Sequence, residues 1–344
     1  MENFAYDLYT SLAKKVDISL IKWGGQNKYL PIVIPYFFFR SLIILNKEDI
    51  DIIHMQDGVL APLGWLLSKL FRRPYTVVIH GLDITYKNKV FQTVNVLAIK
   101  RASIAFCISQ AAANEAVKRG VNLSKIRVIT PGISDRLHIP KGQARQKLLA
   151  ELNIDEDITV ILTVGRLVKR KGVAWFLGNV MPALLKNNKK LMYLIVGDGE
   201  ERSKIESIIK SKRLSENVKL LGKVDEDIVK TVYNGADIFV QPNIKVSGDM
   251  EGFGLVVLEA ALCELPVVAT GIEGIVDALK DGKNGILIDK PKDSMTFIKS
   301  INKLLSDKKA AQRFGKKSRD YTIKKYDWQA IAVQYIQEFN SLIK

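Results

Sequence analysis

Cysteine and histidine are scarce in this chain of 344 residues. The two cysteines, Cys107 and Cys263, lie inside apolar stretches and show no metal-ligand spacing. This usage excludes a disulfide-stabilised secreted scaffold and a cysteine zinc site, and it predicts buried free thiols in a reducing, cytoplasmic compartment. A Walker loop and a Gly-x-Ser-x-Gly elbow are also absent from the sequence, which excludes two common classes of nucleotide-binding and hydrolytic site.

Long apolar runs are missing as well. The most apolar stretch, residues 29–45, is interrupted by Pro31, Pro35 and Arg40. A membrane-spanning helix needs about 18 or more consecutive apolar residues, so this stretch does not predict one, and we expect no signal peptide before the fold. We expect a core helix here; an amphipathic element lying on a membrane surface is the alternative.

The charge of the chain is strongly positive and unevenly distributed. The formal net charge is +16; residues 1–150 hold 21 Lys and Arg against 10 Asp and Glu, and the remaining residues hold 31 against 26. A basic first half favours an anionic partner, either phospholipid headgroups or nucleic acid, and a merely soluble basic face is the alternative. No basic run is interleaved with aromatic residues, which argues against nucleic acid.

The order of hydrophobic patterns predicts an α/β protein with two doubly wound parallel sheets. Strand and helix patterns alternate from residue 51 to 130 and again from 159 to 288, and helices close the chain. The intervening residues 132–153 are predicted to connect two domains. The chain opens on a helix at 2–14, followed by a strand at 16–21. Because such domains normally open on a strand and a Gly-rich turn, we expect both to be missing from the amino end.

The stretch 251–259 organises the rest of the chain. Gly252 and Gly254 allow a ligand to approach the backbone, and a helix beginning near Leu255 would present free N–H groups and a positive dipole end to a phosphate. Glu251 and Glu259 stand on either side as acceptors for hydroxyl groups. This order suits a sugar, a diphosphate and a ribose; an acid paired with a basic neighbour, or Glu251 acting as a cap, is the alternative.

A second candidate element is the basic turn 165–172, which follows the first strand of the second half. Arg166 in fork geometry and Lys171 as a point charge can neutralise a diphosphate leaving group without a metal ion. Lys169 and Arg170 are expected to be solvated. The acidic triplets beginning at residues 155 and 225 each precede a predicted element, so we interpret them as caps and expect no metal site.

Three further positions lie where strands end. Gly197 opens a tight Gly-Asp-Gly turn that lacks the third glycine of a dinucleotide fingerprint, so NAD is not expected. Val224 follows another strand and could hold a base through its backbone. His80 ends the strand 77–79, where parallel sheets bind ligands; it is the best histidine for chemistry, or it ties down a loop. His54 and His138 are interpreted as structural or solvated.

The chain resembles the family 4 glycosyltransferases of GT-B fold. The motifs that carry this resemblance are the turn 165–172, the Gly-Asp-Gly turn, the stretch 251–259, His80 with its following glycine, and the closing segment 326–328. The resemblance covers nearly the whole chain. It implies two facing Rossmann-like domains, at 1–145 and 146–324, and a closing helix at 325–344 that returns to the first domain. It also implies a nucleotide-sugar donor bound mainly by the second domain, retention of anomeric configuration, and no metal requirement.

Carried over by position, the resemblance gives roles to individual residues. Arg166 and Lys171 would bind the diphosphate, Glu251 the hydroxyls of the donor sugar, and Glu259 the ribose. His80 would assist at the sugar from the first domain. The other donor-binding positions would be Gly197, Val224, Gly252, Phe253, Gly254 and Leu255. Family members open with a strand and a Gly-rich loop, and Met1 falls where the following helix begins, so the first sheet is expected to lack a central strand.

The predicted function is transfer of a hexose from GDP-mannose or a UDP-sugar to a lipid-linked or polysaccharide acceptor in cell-envelope biosynthesis. The resemblance is to the bacterial glycolipid and polysaccharide branch, including phosphatidylinositol mannosyltransferase-like members. We expect peripheral association with the anionic inner face of the cell membrane, and no nucleic-acid partner. Front-side attack and double displacement stay open. Alternatives are another GT-B enzyme, such as a nucleotide-sugar epimerase, and a non-catalytic basic remnant that binds membranes or nucleic acid.

Overall fold

The computed structural model describes residues 2–25, 29–86 and 88–343. The chain divides into two compact units. The first unit combines Met1–Ser134, Gly248–Phe253 and Tyr326–Lys344, and the second combines Asp135–Ser247 and Gly254–Lys325. Each unit is an α/β layer structure around its own parallel sheet, which confirms the predicted fold class.

The first unit has a four-stranded parallel sheet in the order β1-β2-β3-β4. Short buried strands rich in Val and Ile alternate with helices, as a parallel sheet requires. In chain order its elements are α1 (Glu2–Leu12), α2 (Leu30–Lys47), β1 (Ile53–Met55), α3 (Ala61–Phe71), β2 (Tyr75–Ile79), α4 (Leu82–Thr85), α5 (Lys89–Arg101), β3 (Ile104–Cys107), α6 (Gln110–Lys118) and β4 (Ile126–Val128).

The second unit has a six-stranded parallel sheet in the order β10-β9-β8-β5-β6-β7. Its elements are α7 (Lys141–Leu152), β5 (Thr159–Val164), α8 (Val173–Asn179), α9 (Met181–Asn187), β6 (Leu191–Val196), α10 (Arg202–Ser211), β7 (Val218–Gly222), α11 (Glu226–Gly235), β8 (Ile238–Gln241), α12 (Leu255–Leu262), β9 (Val267–Thr270), α13 (Ile275–Ala278), β10 (Ile286–Ile288), α14 (Ser294–Ser306) and α15 (Lys308–Lys325). The strand order reverses between β5 and β8. The crevice beyond the carboxyl ends of these two strands is where such sheets bind ligands.

The last helix, α16 (Trp328–Asn340), belongs to the first unit, where it packs against α1. It also covers one face of the first sheet, because Tyr335 lies 4.5 Å from Phe106 of β3, ring centre to ring centre. Residues next to Phe106 point to the opposite face, where Ala105 and Cys107 join the core formed with α2, α3, α5 and α6. The first sheet is therefore covered by helices on both sides.

The structure corrects three predictions of local structure. Residues 16–21 form no strand: the segment has no regular secondary structure, is largely exposed and pairs with no described strand, and a strand needs such pairing for its backbone hydrogen bonds. Residues 132–153 are not only a connection, because they contain α7, which packs on α11. The hydrophobic pattern of residues 173–185 predicts one helix, but the segment forms two, α8 and α9, divided at Val180, because Pro182 starts a new helix.

Two further differences concern the first unit. The unit boundary lies after Ser134 rather than at residue 145, since α7 belongs to the second unit. The helix α2 is not simply a core helix: Val33 and Phe37 are buried, whereas Ile32 and Phe39 are exposed. Within the described ranges, no helix has the length and apolar content to cross a membrane.

Candidate functional site

The loops that follow β5, β6 and β7 in the second unit are joined through their backbones. The amide of Gly165 donates to the carbonyl of Val196 at 2.9 Å, and the amide of Gly197 donates to that of Gly222 at 2.8 Å. The amide of Leu167 donates to the backbone carbonyl of Asp198 at 2.9 Å. The basic turn and the Gly-Asp-Gly turn are therefore one layer at the ligand edge of the sheet, and Val224 lies in the loop after β7.

Glycine is required at two places in this layer. Gly197 has φ 129°, and a Cβ atom there would lie 2.0 Å from the carbonyl oxygen of Gly165. Gly172 has φ 69°, and its Cβ would lie 1.8 Å from the carbonyl oxygen of Pro242, just after β8. Because a backbone atom cannot move aside cheaply, both positions exclude a side chain. These contacts fix the basic turn between the ends of β5, β6 and β8.

The four cations of the basic turn differ in exposure. Arg166 and Lys169 are exposed, whereas Arg170 and Lys171 are buried, so the expectation that Arg170 is solvated is wrong. The Lys171 side chain passes beneath Gly165: its Cε lies 3.6 Å from where a Cβ of that glycine would be. The loop folds Arg170 and Lys171 inward because its three residues 169–171 form a tight 3₁₀ turn.

Glu259 lies on α12, which begins without a side-chain cap. Gly254, with φ 84°, opens the helix in a left-handed conformation, and the first N–H groups from Leu255 onwards receive no side-chain acceptor. The carboxylate of Glu259 accepts a hydrogen bond of 2.9 Å from the hydroxyl of Tyr233 on α11. An acid and an uncapped helix start thus lie on the same short helix, as predicted for 251–259.

Burial raises the pKa of Glu259, and the Tyr233 hydroxyl and the positive charge of Lys171 act in the opposite direction. Burial, followed by the charge of Glu259, also raises the pKa of Tyr233 well above its ordinary value. The structure therefore brings Glu259 and Lys171 within electrostatic reach of each other. Tyr233 was missed by the sequence, because a tyrosine on an amphipathic helix is indistinguishable there from a packing residue.

Glu251, Gly252 and Phe253 belong to the first unit, where they lie against the loop that follows β2. A Cβ on Gly252 would be 2.3 Å from the carbonyl oxygen of His80, so this backbone approaches the loop closely. Glu251 is buried, and the Phe253 ring meets Tyr326 edge-on at 6.1 Å. The structure therefore brings Glu251 and His80 into one region of the first unit.

His80 is held from two sides. Its Nε2 donates to the backbone carbonyl of Gln56 at 2.9 Å, since a carbonyl oxygen can only accept. Its own amide and that of Gly81 donate to the buried Asp83 carboxylate at 3.0 and 2.8 Å. Asp83 also accepts from the amide of Gly58 at 3.1 Å. His80 thus ties the loops after β1 and β2 together, and its Nδ1 is the atom that remains for a ligand.

The structure also shows the surroundings of His54 and Asp225. His54 is structural: its Nδ1 is 2.7 Å from the Thr76 hydroxyl, and burial lowers its pKa to about 4. Asp225 caps α11 by accepting from the amide of Ile228 at 2.9 Å. Among the residues the structure describes, no group of three or more His, Cys, Asp or Glu side chains could hold a metal ion.

Two sequence families cover most of the chain. The glycosyl transferases group 1 family matches residues 144–321, and glycosyltransferase family 4 matches residues 10–137. Two curated relatives are similar over most of their length. The D-inositol 3-phosphate glycosyltransferase of Corynebacterium jeikeium is 25% identical, over 90% of this chain and 77% of its own. The capsular polysaccharide biosynthesis glycosyltransferase CapM of Staphylococcus aureus is 26% identical, over 89% and 80%.

Solved structures agree on the fold. Anabaena HepE, solved in complex with UDP, is similar with a TM-score of 0.76 and 21% identity, covering 92% of this chain and 84% of its own. Sucrose-phosphate synthase from Thermosynechococcus elongatus is similar with a TM-score of 0.78 and 22% identity, covering 99% and 92%. Two parallel-sheet units of this kind form the GT-B fold. The chain therefore belongs to the group 1 glycosyl transferases, and it is a transferase.

Proposed function

We propose that this protein transfers a hexose from a nucleotide-diphosphate sugar, GDP-mannose or a UDP-sugar, to a lipid-linked or polysaccharide acceptor, with retention of the anomeric configuration. The proposal rests on one observation in the second unit. Glu259 lies on the uncapped helix α12, accepts a hydrogen bond from the Tyr233 hydroxyl and lies within electrostatic reach of Lys171. HepE was solved with UDP-glucose and CapM takes its name from capsular polysaccharide synthesis, which supports the same substrate classes.

The second unit would hold the donor nucleotide. The start of α12 at Gly254 and Leu255 offers N–H groups to a phosphate, and Arg166 and Lys171 supply compensating charge as the diphosphate departs. Glu259 would accept hydrogen bonds from two hydroxyls of the ribose. A raised pKa suits this role, because ribose hydroxyls can replace the water that burial removes from the carboxylate.

The first unit would act on the sugar and the acceptor. In this assignment Glu251 accepts from hydroxyls of the donor sugar, and His80 assists at the sugar through Nδ1, the ring nitrogen left by the bond to Gln56. In the overall reaction the acceptor oxygen becomes bonded to the anomeric carbon, the bond from that carbon to the diphosphate oxygen breaks, and the acceptor proton is released together with the nucleoside diphosphate. No metal ion is required, since the basic turn supplies the charge.

For the acceptor, we propose a glycolipid or surface-polysaccharide precursor at the inner face of the cell membrane. A phosphatidylinositol mannosyltransferase-like activity is one form of this hypothesis, and the similarity to a D-inositol 3-phosphate glycosyltransferase supports testing inositol-containing acceptors first. Polysaccharide precursors are the second class to test, on the similarity to CapM.

A panel of GDP- and UDP-sugars, tested for thermal stabilisation of the full chain, examines the donor proposal directly. We expect one sugar nucleotide to raise the melting temperature. We expect Arg166→Ala and Glu259→Gln to weaken binding of this sugar nucleotide by about 10- to 100-fold. This factor corresponds to the free energy of one hydrogen bond to a charged group. Incubation of the stabilising donor with candidate acceptors and analysis of the products by mass spectrometry then identifies the transfer.

Glu259→Gln also separates binding from folding. Folding raises the pKa of Glu259, so the unliganded fold loses stability as pH rises from the unfolded pKa of this side chain through its folded pKa. The glutamine variant should therefore melt at or above the temperature of the wild type while losing donor stabilisation. A large drop in the melting temperature of both unliganded variants would contradict the proposal and indicate structural ion pairs instead.

A further inference from the structure

The helices on one face of the first sheet form a continuous layer. α3 contacts α2 on one side and α5 on the other, and all three send buried side chains into the same core. Examples are Phe37 of α2, Leu67 of α3 and Ile99 of α5. The opposite sides of these helices therefore form the outer surface of the first unit on this face of the sheet.

That outer surface is unusually apolar. On α2, four exposed side chains recur at helical spacing and define an apolar stripe: Ile32 at 73% exposure, Tyr36 at 52%, Phe39 at 63% and Ile43 at 45%. The neighbouring helices add four more exposed apolar side chains, namely Leu66, Leu70, Val94 and Leu97. A large apolar surface on a folded domain marks a binding face.

The helices of this surface carry cations and no acid; the exposed acids Glu48 and Asp49 follow α2 directly, and Asp49 pairs with Arg73 at 2.8 Å. No Asp or Glu occurs in the sequences of α2, α3 or α5. The exposed cations of these helices are Arg40, Lys47, Lys69, Lys89, Lys100 and Arg101. Apolar side chains bordered by lysine and arginine match the interface of an anionic bilayer, where acyl chains and phosphate headgroups lie within a few ångströms of each other.

We infer that the outer surface of α2, α3 and α5 docks on an anionic phospholipid membrane, with the apolar stripe of α2 entering the boundary between headgroups and acyl chains. Charge complementarity favours this occupant over a second copy of the chain, because two faces that both carry an excess of lysine and arginine would repel each other. A nucleic acid would satisfy the cations and leave the stripe in water. The inference deepens the proposed function and rests on it only for the lipid-linked acceptor.

The test is co-flotation of the full chain with vesicles of phosphatidylcholine alone and of phosphatidylcholine mixed with phosphatidylglycerol. We expect flotation with the mixed vesicles and a decrease as salt is added. The stripe variant Tyr36→Ser/Phe39→Ser/Ile43→Ser should bind at least about tenfold more weakly, since it removes the inserted apolar area. In the charge variant Arg40→Gln/Lys47→Gln/Lys69→Gln, each lost cation should weaken binding by about fivefold.

A matched control uses the second unit. Met295 is 80% exposed and Lys299 is exposed on the same helix, so Met295→Ser/Lys299→Gln removes similar groups away from the proposed face and should float like the wild type. Insertion is measured separately with Phe39→Cys labelled by an environment-sensitive dye. The native thiols Cys107 and Cys263 are buried, so labelling is selective, and the emission should shift to the blue on mixed vesicles only.

Several results would overturn the inference. These are a wild type that does not float with mixed vesicles, a stripe variant that floats equally well, and a wild-type dimer that the stripe variant converts to a monomer. Thermal stabilisation by the sugar nucleotide tests the proposed function independently of the membrane face. Loss of flotation with an intact sugar-nucleotide shift rejects only the membrane face, whereas flotation without any sugar-nucleotide shift supports the face and rejects only the proposed function.

Discussion

The two units differ sharply in what they show to solvent. Among the described residues, the large exposed hydrophobic side chains of the second unit are Val276, Met295 and Ile323, and all the others lie in the first unit. The second unit also has six strands against four. A larger sheet with helices on its flanks can bury its apolar residues, whereas the first unit leaves one helical layer partly apolar on the outside.

The difference extends to the ligand edges. In the second unit the loops after β5, β6 and β8 are fixed by backbone contacts that only glycine permits, so the turn that carries Lys171 is held by rigid chain. In the first unit the loop at His80 is held chiefly by the Asp83 carboxylate, and Gly252 also approaches the His80 carbonyl closely. The ligand edge of the second unit is therefore held mainly by backbone contacts, and the loop after β2 in the first unit also depends on a buried carboxylate.

The largest expected effect breaks the rigid edge of the second unit. In Gly197→Ala the new Cβ would meet the carbonyl oxygen of Gly165 at 2.0 Å at a φ of 129°. We expect a loss of roughly 3 kcal/mol or more in the free energy of unfolding, together with loss of any donor shift. Chemical denaturation with hydrogen exchange resolved by unit measures it.

Gly178→Ala is the matched control, because a Cβ at Gly178 in α8 would meet nothing within 4 Å. This variant should gain about 0.5–1 kcal/mol, since alanine favours a helix. Equal stability of the two alanine variants would show that the loops of the second unit are not held as described.

A smaller loss of stability, confined to the first unit, is expected when His54 becomes protonated at acidic pH. In the unfolded chain its imidazole is protonated below about pH 6.5, and in the folded protein only below about pH 4, because of burial. The unfolded state binds more protons between these values, so stability falls by roughly 3 kcal/mol as pH drops from 6.5 to 4. Hydrogen exchange should show the first unit opening before the second.

His54→Gln removes the titrating group and should flatten this acid loss, at some cost in stability at neutral pH from the lost bond to Thr76. His138→Gln, in the second unit, is the control and should keep the full acid loss of the wild type. If both units open together on acidification in the wild type, the assignment of acid sensitivity to His54 is wrong.

The smallest effect concerns Tyr233. Tyr233→Phe removes the hydroxyl that donates to Glu259 at 2.9 Å and leaves the ring in place. We expect donor binding to weaken by about fivefold, equivalent to roughly 1 kcal/mol for one hydrogen bond. The pH profile of binding should also shift upward, because this hydroxyl lowers the pKa of Glu259. Isothermal titration with the stabilising sugar nucleotide measures both.

Tyr193→Phe is its control, since Tyr193 is equally buried in the second unit and its hydroxyl contacts Thr163 at 2.8 Å instead. It should cost similar stability without changing donor affinity or its pH profile. A Tyr193 variant that weakens binding as much as Tyr233→Phe would indicate a general loosening of the unit rather than positioning of Glu259.

Local sequence patterns predicted helices and strands correctly where a pattern is typical of only one kind of element. The strands at Tyr75–Ile79 and Ile238–Gln241 follow from buried apolar runs, and the cap at Asp225 from an acid before an amphipathic helix. The strand at 16–21 failed because strand formation depends on a pairing partner elsewhere in the chain. The exposure of part of α2 was only the alternative prediction, because its largely apolar sequence indicates burial without saying what covers each side.

The sequence by itself determined the α/β class, the two parallel sheets and the residue types at the strand ends, since these depend on local periodicity and on glycine's freedom of φ. Tertiary structure alone decided that Tyr233 reaches Glu259, that Arg170 turns inward, that Asp83 holds the His80 loop, and that the apolar side chains of α2 face solvent. Each of these depends on which distant residues packing brings into contact, and spacing along one chain carries no information about such contacts.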